Sequence, residues 1–119
     1  MVGENWAIWI TGLPASGKST VAKLLKAKLD EMEVNVAVLE SDELRKSFTP
    51  NPDYSEDERN KFYSRVIDIG KTLTKNGVNV IIDATGHKKI WRETARKEYP
   101  QFLEIYLKCP LEICKLRDP

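Results

Sequence analysis

Short apolar runs alternate along the chain with longer stretches in which apolar residues recur every three or four positions. The short runs predict four strands, at residues 6–10, 34–39, 78–83 and 102–107. The longer stretches between them predict helices, and this alternation is typical of a parallel sheet with helices on its faces. The sequence therefore predicts an α/β fold, arranged as a three-layer α/β/α domain with a mostly parallel sheet.

Two of the predicted helices have a clear apolar face. The first follows residue 17, ends near Glu33 and is expected to pack through Val21, Leu24, Leu25 and Leu29. The second is longer, ends at Asn76-Gly77 and is expected to pack through Phe62, Val66, Ile69 and Leu73.

Polar residues and prolines indicate where the helices begin. Ser41 is a candidate N-cap for a short helix over residues 42–48, and Ser55 with Glu58 resembles a capping box for the longer helix. A further helix is expected over residues 89–99, and Pro110 is expected to start a last one.

Composition narrows the class of protein. The chain has 119 residues, 41% hydrophobic and 31% charged, which predicts a single domain over residues 1–119. Nineteen basic against eighteen acidic residues give a formal charge of +1, so nucleic acid is an unlikely partner. No apolar run approaches the roughly 20 residues that cross a bilayer, so no membrane partner and a cytoplasmic location are expected. Cys109 and Cys114 are interpreted as reduced thiols.

A glycine-bearing turn between the first strand and the first helix satisfies the pattern G-x-x-x-x-G-K-[ST], which predicts a P-loop. In such a loop, backbone N–H groups and the helix N-terminus hold the phosphates of ATP, the lysine reaches the β- and γ-phosphates, and the serine hydroxyl binds Mg²⁺. The expected nucleotide-binding residues are Gly12, Leu13, Pro14, Ala15, Ser16, Gly17, Lys18, Ser19 and Thr20. Lys18 is also predicted to be catalytic, and Ser19 to be a Mg²⁺ ligand.

Asp83 ends the third predicted strand, at the sheet edge where open α/β sheets bind their ligands. Beside a P-loop, a carboxylate at this position is expected to hold Mg²⁺ or its water shell, which makes Asp83 a predicted catalytic and metal-binding residue. Thr85 follows two positions later, and it is a candidate phosphate contact or a turn residue next to Gly86.

Asp42 and Arg45 lie just beyond the second strand, one helical turn apart. The carboxylate is suited to accept the proton of an attacking hydroxyl, and the arginine to hold an anionic acceptor. An ordinary ion pair on a capped surface helix is the alternative interpretation.

Further along, Tyr54, Arg59 and Arg65 flank the start of the longer helix, where they form either a substrate-facing group or a charged helix face. The single histidine, His87, is expected in a loop. The three tryptophans, Trp6, Trp9 and Trp91, are expected to pack in the core.

Four segments together resemble the adenylylsulfate kinase family, whose members are P-loop enzymes that phosphorylate the 3′-hydroxyl of adenylylsulfate with MgATP. The segments are I-W-I-T-G-L-P-A-S-G-K-S-T, S-D-E-L-R, Y-S-E-D-E-R and C-P-L-E-I-C-K-L-R-D-P. The last of these is the most specific, because a generic P-loop kinase need not carry it.

This resemblance implies a role for particular residues. Asp42 is then the base, Arg45 and Arg59 bind the acceptor, and Tyr54 packs on its adenine. Arg117 approaches the ATP side. The implied function is transfer of the γ-phosphoryl group of MgATP to adenylylsulfate in sulfate assimilation. A separate hypothesis is a homo-oligomer, in which a second copy covers apolar surface left by an incomplete α/β layer at the C-terminus.

Three departures from the family pattern keep other functions open. The family's D-G-D is Glu40-Ser41-Asp42 here, its acceptor-binding Asn falls near Phe62, and residues 83–86 read D-A-T-G, as in P-loop kinases for small metabolites or polynucleotide 5′-hydroxyls. The family continues past R-D-P with a lid, so a chain truncated at its C-terminus is expected. A kinase for another hydroxyl acceptor and a non-catalytic nucleotide-binding module therefore remain alternatives.

Overall fold

The computed structural model describes residues 5–12, 17–48, 55–86 and 88–108. Within these ranges the chain alternates four strands with four helices. In chain order the elements are β1 (Trp6–Thr11), α1 (Lys18–Glu31), β2 (Val36–Glu40), α2 (Ser41–Phe48), α3 (Glu56–Lys75), β3 (Asn79–Asp83), α4 (Lys89–Glu98) and β4 (Gln101–Tyr106).

The four strands form one parallel sheet in the order β2-β3-β1-β4. Strands β1 and β3 are central and apolar, and every residue of β3 is buried. Register aligns Glu40 with Asp83 and Asp83 with Ile10, so the ends of three strands lie together at one edge of the sheet. The predicted α/β class with a parallel sheet is confirmed.

Helices cover both faces of the sheet, which gives the expected three layers. On one face α1 packs through Ala22, with Val21, Leu25 and Leu29 partly buried against the sheet. On the other face α3 and α4 enclose the larger core, whose largest fully buried side chains include Trp9 and Phe62. Trp91 is also buried there, and Trp6 packs partly buried on the α1 face, so the prediction that the tryptophans are packing residues is confirmed.

Two sequence expectations about the helices are wrong. Leu24 was expected on the apolar face of α1 but is 67% exposed, because it lies about 160° around the helix from the buried Ala22. Ser41 was expected to cap α2 but is its first helical residue. The side chain of Glu40 caps the helix instead, accepting hydrogen bonds from the N–H groups of Asp42 at 3.1 Å and Glu43 at 3.0 Å.

The other expected helix signals agree with the structure. Ser55 is the N-cap of α3, and its hydroxyl accepts a hydrogen bond from the N–H of Glu58 at 3.1 Å. Phe62 and Val66 are buried, with Ile69 and Leu73 packed partly buried beside them. The expected helix after Pro110 lies outside the described residues. Among the described helices, none is long and apolar enough to cross a membrane.

Candidate functional site

The first half of the predicted nucleotide site lies where β1 passes into α1. Gly17 precedes α1 in the left-handed conformation, with φ 101°, which a side chain would strain. Lys18 and Ser19 are the first two residues of the helix, and Thr20 is exposed beside them. The N–H groups of a first helical turn are available to an anion, as the P-loop prediction requires. Leu13, Pro14, Ala15 and Ser16 lie outside the described residues.

Asp83 joins the site from the end of β3. The hydroxyl of Ser19 donates a hydrogen bond to its Oδ2 at 2.9 Å, so the two predicted Mg²⁺ ligands are neighbours. Burial raises the pKa of the Asp83 carboxyl, and the Ser19 hydroxyl partly offsets this. The negative charges of Glu40 and Asp42 raise the same pKa further, whereas Lys18 lowers it.

Asp42 reaches this edge of the sheet on the first turn of α2. The turn is held by the carboxylate of Glu40, which is aligned with Asp83 across β2 and β3. Asp42 is exposed, and its charge acts on the Asp83 carboxyl. Glu40 was not predicted from the sequence as the residue that holds this turn. Its position two residues before Asp42, at the end of a strand, was the available signal.

Arg45 points toward α3. Its guanidinium lies 3.8 Å from the Glu58 carboxylate and 4.2 Å from the centre of the Phe62 ring. Burial raises the pKa of the Tyr63 hydroxyl, and the hydrogen bond from the Gly86 N–H and the charges of Arg45 and Arg59 partly offset this rise. Arg65 lies 5.6 Å from the ring of Phe48. Arg59 and Arg65 belong to α3 and Arg45 contacts it, so the three arginines lie on the side of the site that α3 forms.

Thr85 lies two residues after Asp83, and its carbonyl accepts a hydrogen bond from the Thr11 hydroxyl. The two interpretations of Thr85, a phosphate contact or a turn residue, both stay predictions. Tyr54, Arg117 and His87 lie outside the described residues, so the expectations about them stay predictions.

A cavity of about 580 Å³ opens beside Ser19 and Asp83 on the α1 side of the sheet. Its wall includes carboxylates and lysines of α1, β2 and α2, namely Lys23, Lys26, Asp30, Glu40 and Glu43.

Comparison with known proteins decides the family. The model of the adenylylsulphate kinase family matches residues 4–119. The chain belongs to the adenylylsulphate kinase family. Kinases of this kind are phosphotransferases with an alcohol group as acceptor, so the predicted family and enzyme class are confirmed.

Two relatives illustrate the match. The "Probable adenylyl-sulfate kinase" of Archaeoglobus fulgidus is 39% identical over 97% of this chain and 74% of its own length. The structure of the Mycobacterium tuberculosis APS kinase in complex with AMPPNP and APS superposes with a TM-score of 0.90 at 31% identity, covering 99% of this chain and 70% of that one.

A third comparison concerns assembly. A hexameric APS kinase from Thiobacillus denitrificans superposes with a TM-score of 0.74 at 27% identity, covering 87% of this chain and 22% of that one. The curated adenylyl-sulfate kinases that match are longer than this chain, which spans 58% to 74% of the lengths of three of them.

Proposed function

We propose that this chain transfers the γ-phosphoryl group of MgATP to the 3′-hydroxyl of adenylylsulfate, giving 3′-phosphoadenylylsulfate. The observation that carries the proposal is the meeting of Ser19, Asp83 and the Asp42 turn at one sheet edge, in a chain of the adenylylsulphate kinase family. The complex of the M. tuberculosis relative with AMPPNP and APS supports it.

The donor atoms at this edge fit a magnesium ion. Mg²⁺ is usually held by one or two protein oxygens together with phosphates and water, not by a cage of side chains. Ser19 and Asp83 supply such oxygens, and no group of three acidic, histidine or cysteine residues suited to a metal occurs in the described part of the chain. When bound, Mg²⁺ would neutralise charge on the β- and γ-phosphates.

The residues of the chain have separate tasks in this proposal. Lys18 and the N–H groups that open α1 bind the phosphates of ATP. Asp42 orients the acceptor hydroxyl and accepts its proton as the phosphoryl group is transferred in line. Arg45 and Arg59 hold the sulfate and phosphate charges of the acceptor, and Tyr54 packs on its adenine.

The wider setting belongs to the same proposal. We propose that the reaction belongs to sulfate assimilation and that the protein works in the cytoplasm, where its two cysteines are expected to be reduced thiols. Arg117 is proposed to contact ATP. Assembly of this chain into a homo-oligomer is proposed on the analogy of the hexameric relative.

The test is a coupled assay of ADP release with MgATP and adenylylsulfate. We expect adenylylsulfate-dependent release that Lys18→Ala abolishes and that Asp42→Asn lowers by roughly 100-fold or more while ATP binding is retained. Asp57→Asn is the matched control, because it neutralises an exposed carboxylate paired with Lys61 on the surface of α3. Near-normal turnover by Asp42→Asn would contradict the role of Asp42 as base.

A panel of other acceptors tests the substrate. Release on a small-metabolite hydroxyl or a polynucleotide 5′-hydroxyl, with silence toward adenylylsulfate, would move the assignment to that acceptor. Silence toward all acceptors with ADP still bound would support a nucleotide-binding module.

A further inference from the structure

The segment that follows β3, residues 84–86, has backbone polar groups that are held by side chains of β1, α3 and α4. Two carbonyls accept from β1: Ala84 from the Trp9 indole N–H at 3.0 Å, and Thr85 from the Thr11 hydroxyl. The Gly86 N–H donates to the Tyr63 hydroxyl at 3.1 Å, and the Gly86 carbonyl accepts from the Arg92 Nε at 3.0 Å. We call these four hydrogen bonds, together with the side chains of Trp9, Thr11, Tyr63 and Arg92 that make them, the clamp.

Tyr63 is the member of the clamp that comes from the acceptor side of the site. Its ring is buried between two tryptophans, with centroids 5.8 Å from Trp9 and 4.3 Å from Trp91, nearly parallel to both. The stack holds the ring in one orientation, in which the hydroxyl accepts the hydrogen bond from the N–H of Gly86. Gly86 lies three residues after Asp83.

Gly86 fits the clamp because it has no side chain. Its φ is +49°, and an added Cβ would lie 2.7 Å from Cζ2 of Trp9. The backbone of Gly86 therefore packs closely on Trp9, the tryptophan that also stacks on Tyr63.

We infer that Tyr63 is a positioning residue. Its hydroxyl binds the Gly86 N–H and so holds residues 84–86 in place, which in turn keeps the Asp83 carboxylate next to the Ser19 hydroxyl. The inference rests on the proposed use of Ser19 and Asp83 for the Mg²⁺ of the nucleotide. Without the hydroxyl, the N–H of Gly86 loses its acceptor in a buried site, and this unsatisfied donor makes the present position of residues 84–86 less stable relative to positions in which water reaches the N–H.

The test compares two tyrosines of the same core. Tyr63→Phe removes the hydroxyl and keeps the ring stack. Tyr99→Phe is the matched control, because the Tyr99 hydroxyl is also buried but donates to the Ile67 carbonyl at 2.9 Å, within the contact of α3 with the end of α4. Both variants lose one buried hydrogen bond, so a general loss of stability affects both.

The main readout is ADP affinity by calorimetry, with and without Mg²⁺. We expect Tyr63→Phe to bind ADP normally without Mg²⁺ and to lose at least five-fold of the affinity gained with Mg²⁺, while Tyr99→Phe keeps that gain. Hydrogen exchange of the peptide spanning residues 80–88 should quicken at least ten-fold in Tyr63→Phe alone. A gain from Mg²⁺ within two-fold of the unaltered chain in Tyr63→Phe would overturn the inference.

The readout separates this inference from the proposed function, since it uses ADP and Mg²⁺ with no acceptor. Failure of adenylylsulfate turnover with a Mg²⁺ effect lost only in Tyr63→Phe would reject the function and keep the inference. No effect of Mg²⁺ on ADP affinity in the unaltered chain would overturn the inference.

Discussion

At the scale of single residues, Asp83 shows how a site is built at a cost in stability. Its carboxylate is buried at the end of a fully buried strand, beside two other carboxylates, and its pKa is raised. A raised pKa means that the folded protein binds this proton more tightly than the unfolded chain does. By linkage, the stability of the free protein therefore falls as the pH rises from the unfolded pKa through the folded one.

This sign gives a prediction for Asp83→Asn. The amide removes the buried charge and can still accept the Ser19 hydroxyl, so we expect a higher unfolding temperature than that of the unaltered protein at pH 7 without Mg²⁺. The difference should shrink as the pH is lowered through the raised folded pKa toward the unfolded one, because the Asp83 carboxyl then takes up its proton in the folded protein and the buried charge is lost. Thermal unfolding across pH checks this; a variant less stable at pH 7 would contradict it.

Sequence patterns identify single residues well when a motif fixes backbone and side chain together. The P-loop pattern led to Ser19, and the strand end led to Asp83, because both follow from local spacing. Glu40 and Tyr63 were missed for a physical reason. The hydrogen bond that Glu40 accepts depends on where α2 starts, and the one that Tyr63 accepts comes from Gly86, which is 23 positions away in the sequence.

At the scale of elements, α3 and the end of α4 meet at Gly70 and Tyr99. A Cβ on Gly70 would overlap the Tyr99 hydroxyl, with the ring carbon Cζ next nearest at 3.1 Å. The same hydroxyl donates to the carbonyl of Ile67. Glycine thus lets a buried tyrosine bond to the helix backbone.

We expect Gly70→Ala to destabilise the protein by about 1–3 kcal/mol, because the methyl group displaces the hydroxyl from its bond. In the Tyr99→Phe background the overlap with the hydroxyl is gone and the tight contact with Cζ at 3.1 Å remains, while alanine has the higher helix propensity, so the cost of Gly70→Ala should fall well below its value in the unaltered background. Urea unfolding of the four proteins checks this. Costs that add within about 0.5 kcal/mol would show that the two sites are independent.

The elements themselves were largely predictable, with bounds shifted by one or two residues. Caps and breakers such as Ser55 and Asn76-Gly77 act locally, so the sequence near them suffices. Leu24 is the instructive error, since helical spacing alone admitted it, whereas α1 packs on the sheet through Ala22 and leaves Leu24 67% exposed.

At the scale of the whole molecule, the site couples ligand binding to global stability. Its residues come from α1, β3 and the start of α2, and β3 lies in the centre of the sheet. A ligand that binds only this folded arrangement must therefore stabilise the entire domain.

We expect MgADP at 100 times its dissociation constant to stabilise the domain by about 2.7 kcal/mol, which raises the unfolding temperature by roughly 10 °C. Lys18→Ala should lose most of this rise, because Lys18 is proposed to bind the phosphates. Scanning fluorimetry with and without MgADP measures both proteins. An equal rise in Lys18→Ala would place the nucleotide elsewhere.

The order of the strands was not predictable from one sequence, because pairing is decided by contacts between distant segments. The sequence gives no local sign that the first strand lies between the third and the fourth. The parallel class was accessible only because helices separate consecutive strands.

The central position of β1 also sets the timetable on which the chain folds as it is synthesised. Strand β1 leaves the ribosome before β3 and β4, which are its partners on either side, with Trp6 aligned to Gln101. Trp9 and Ile10 therefore have no neighbouring strand of this sheet until residues 79–83 have been translated. During that interval the first strand is the segment that aggregation or a chaperone would capture.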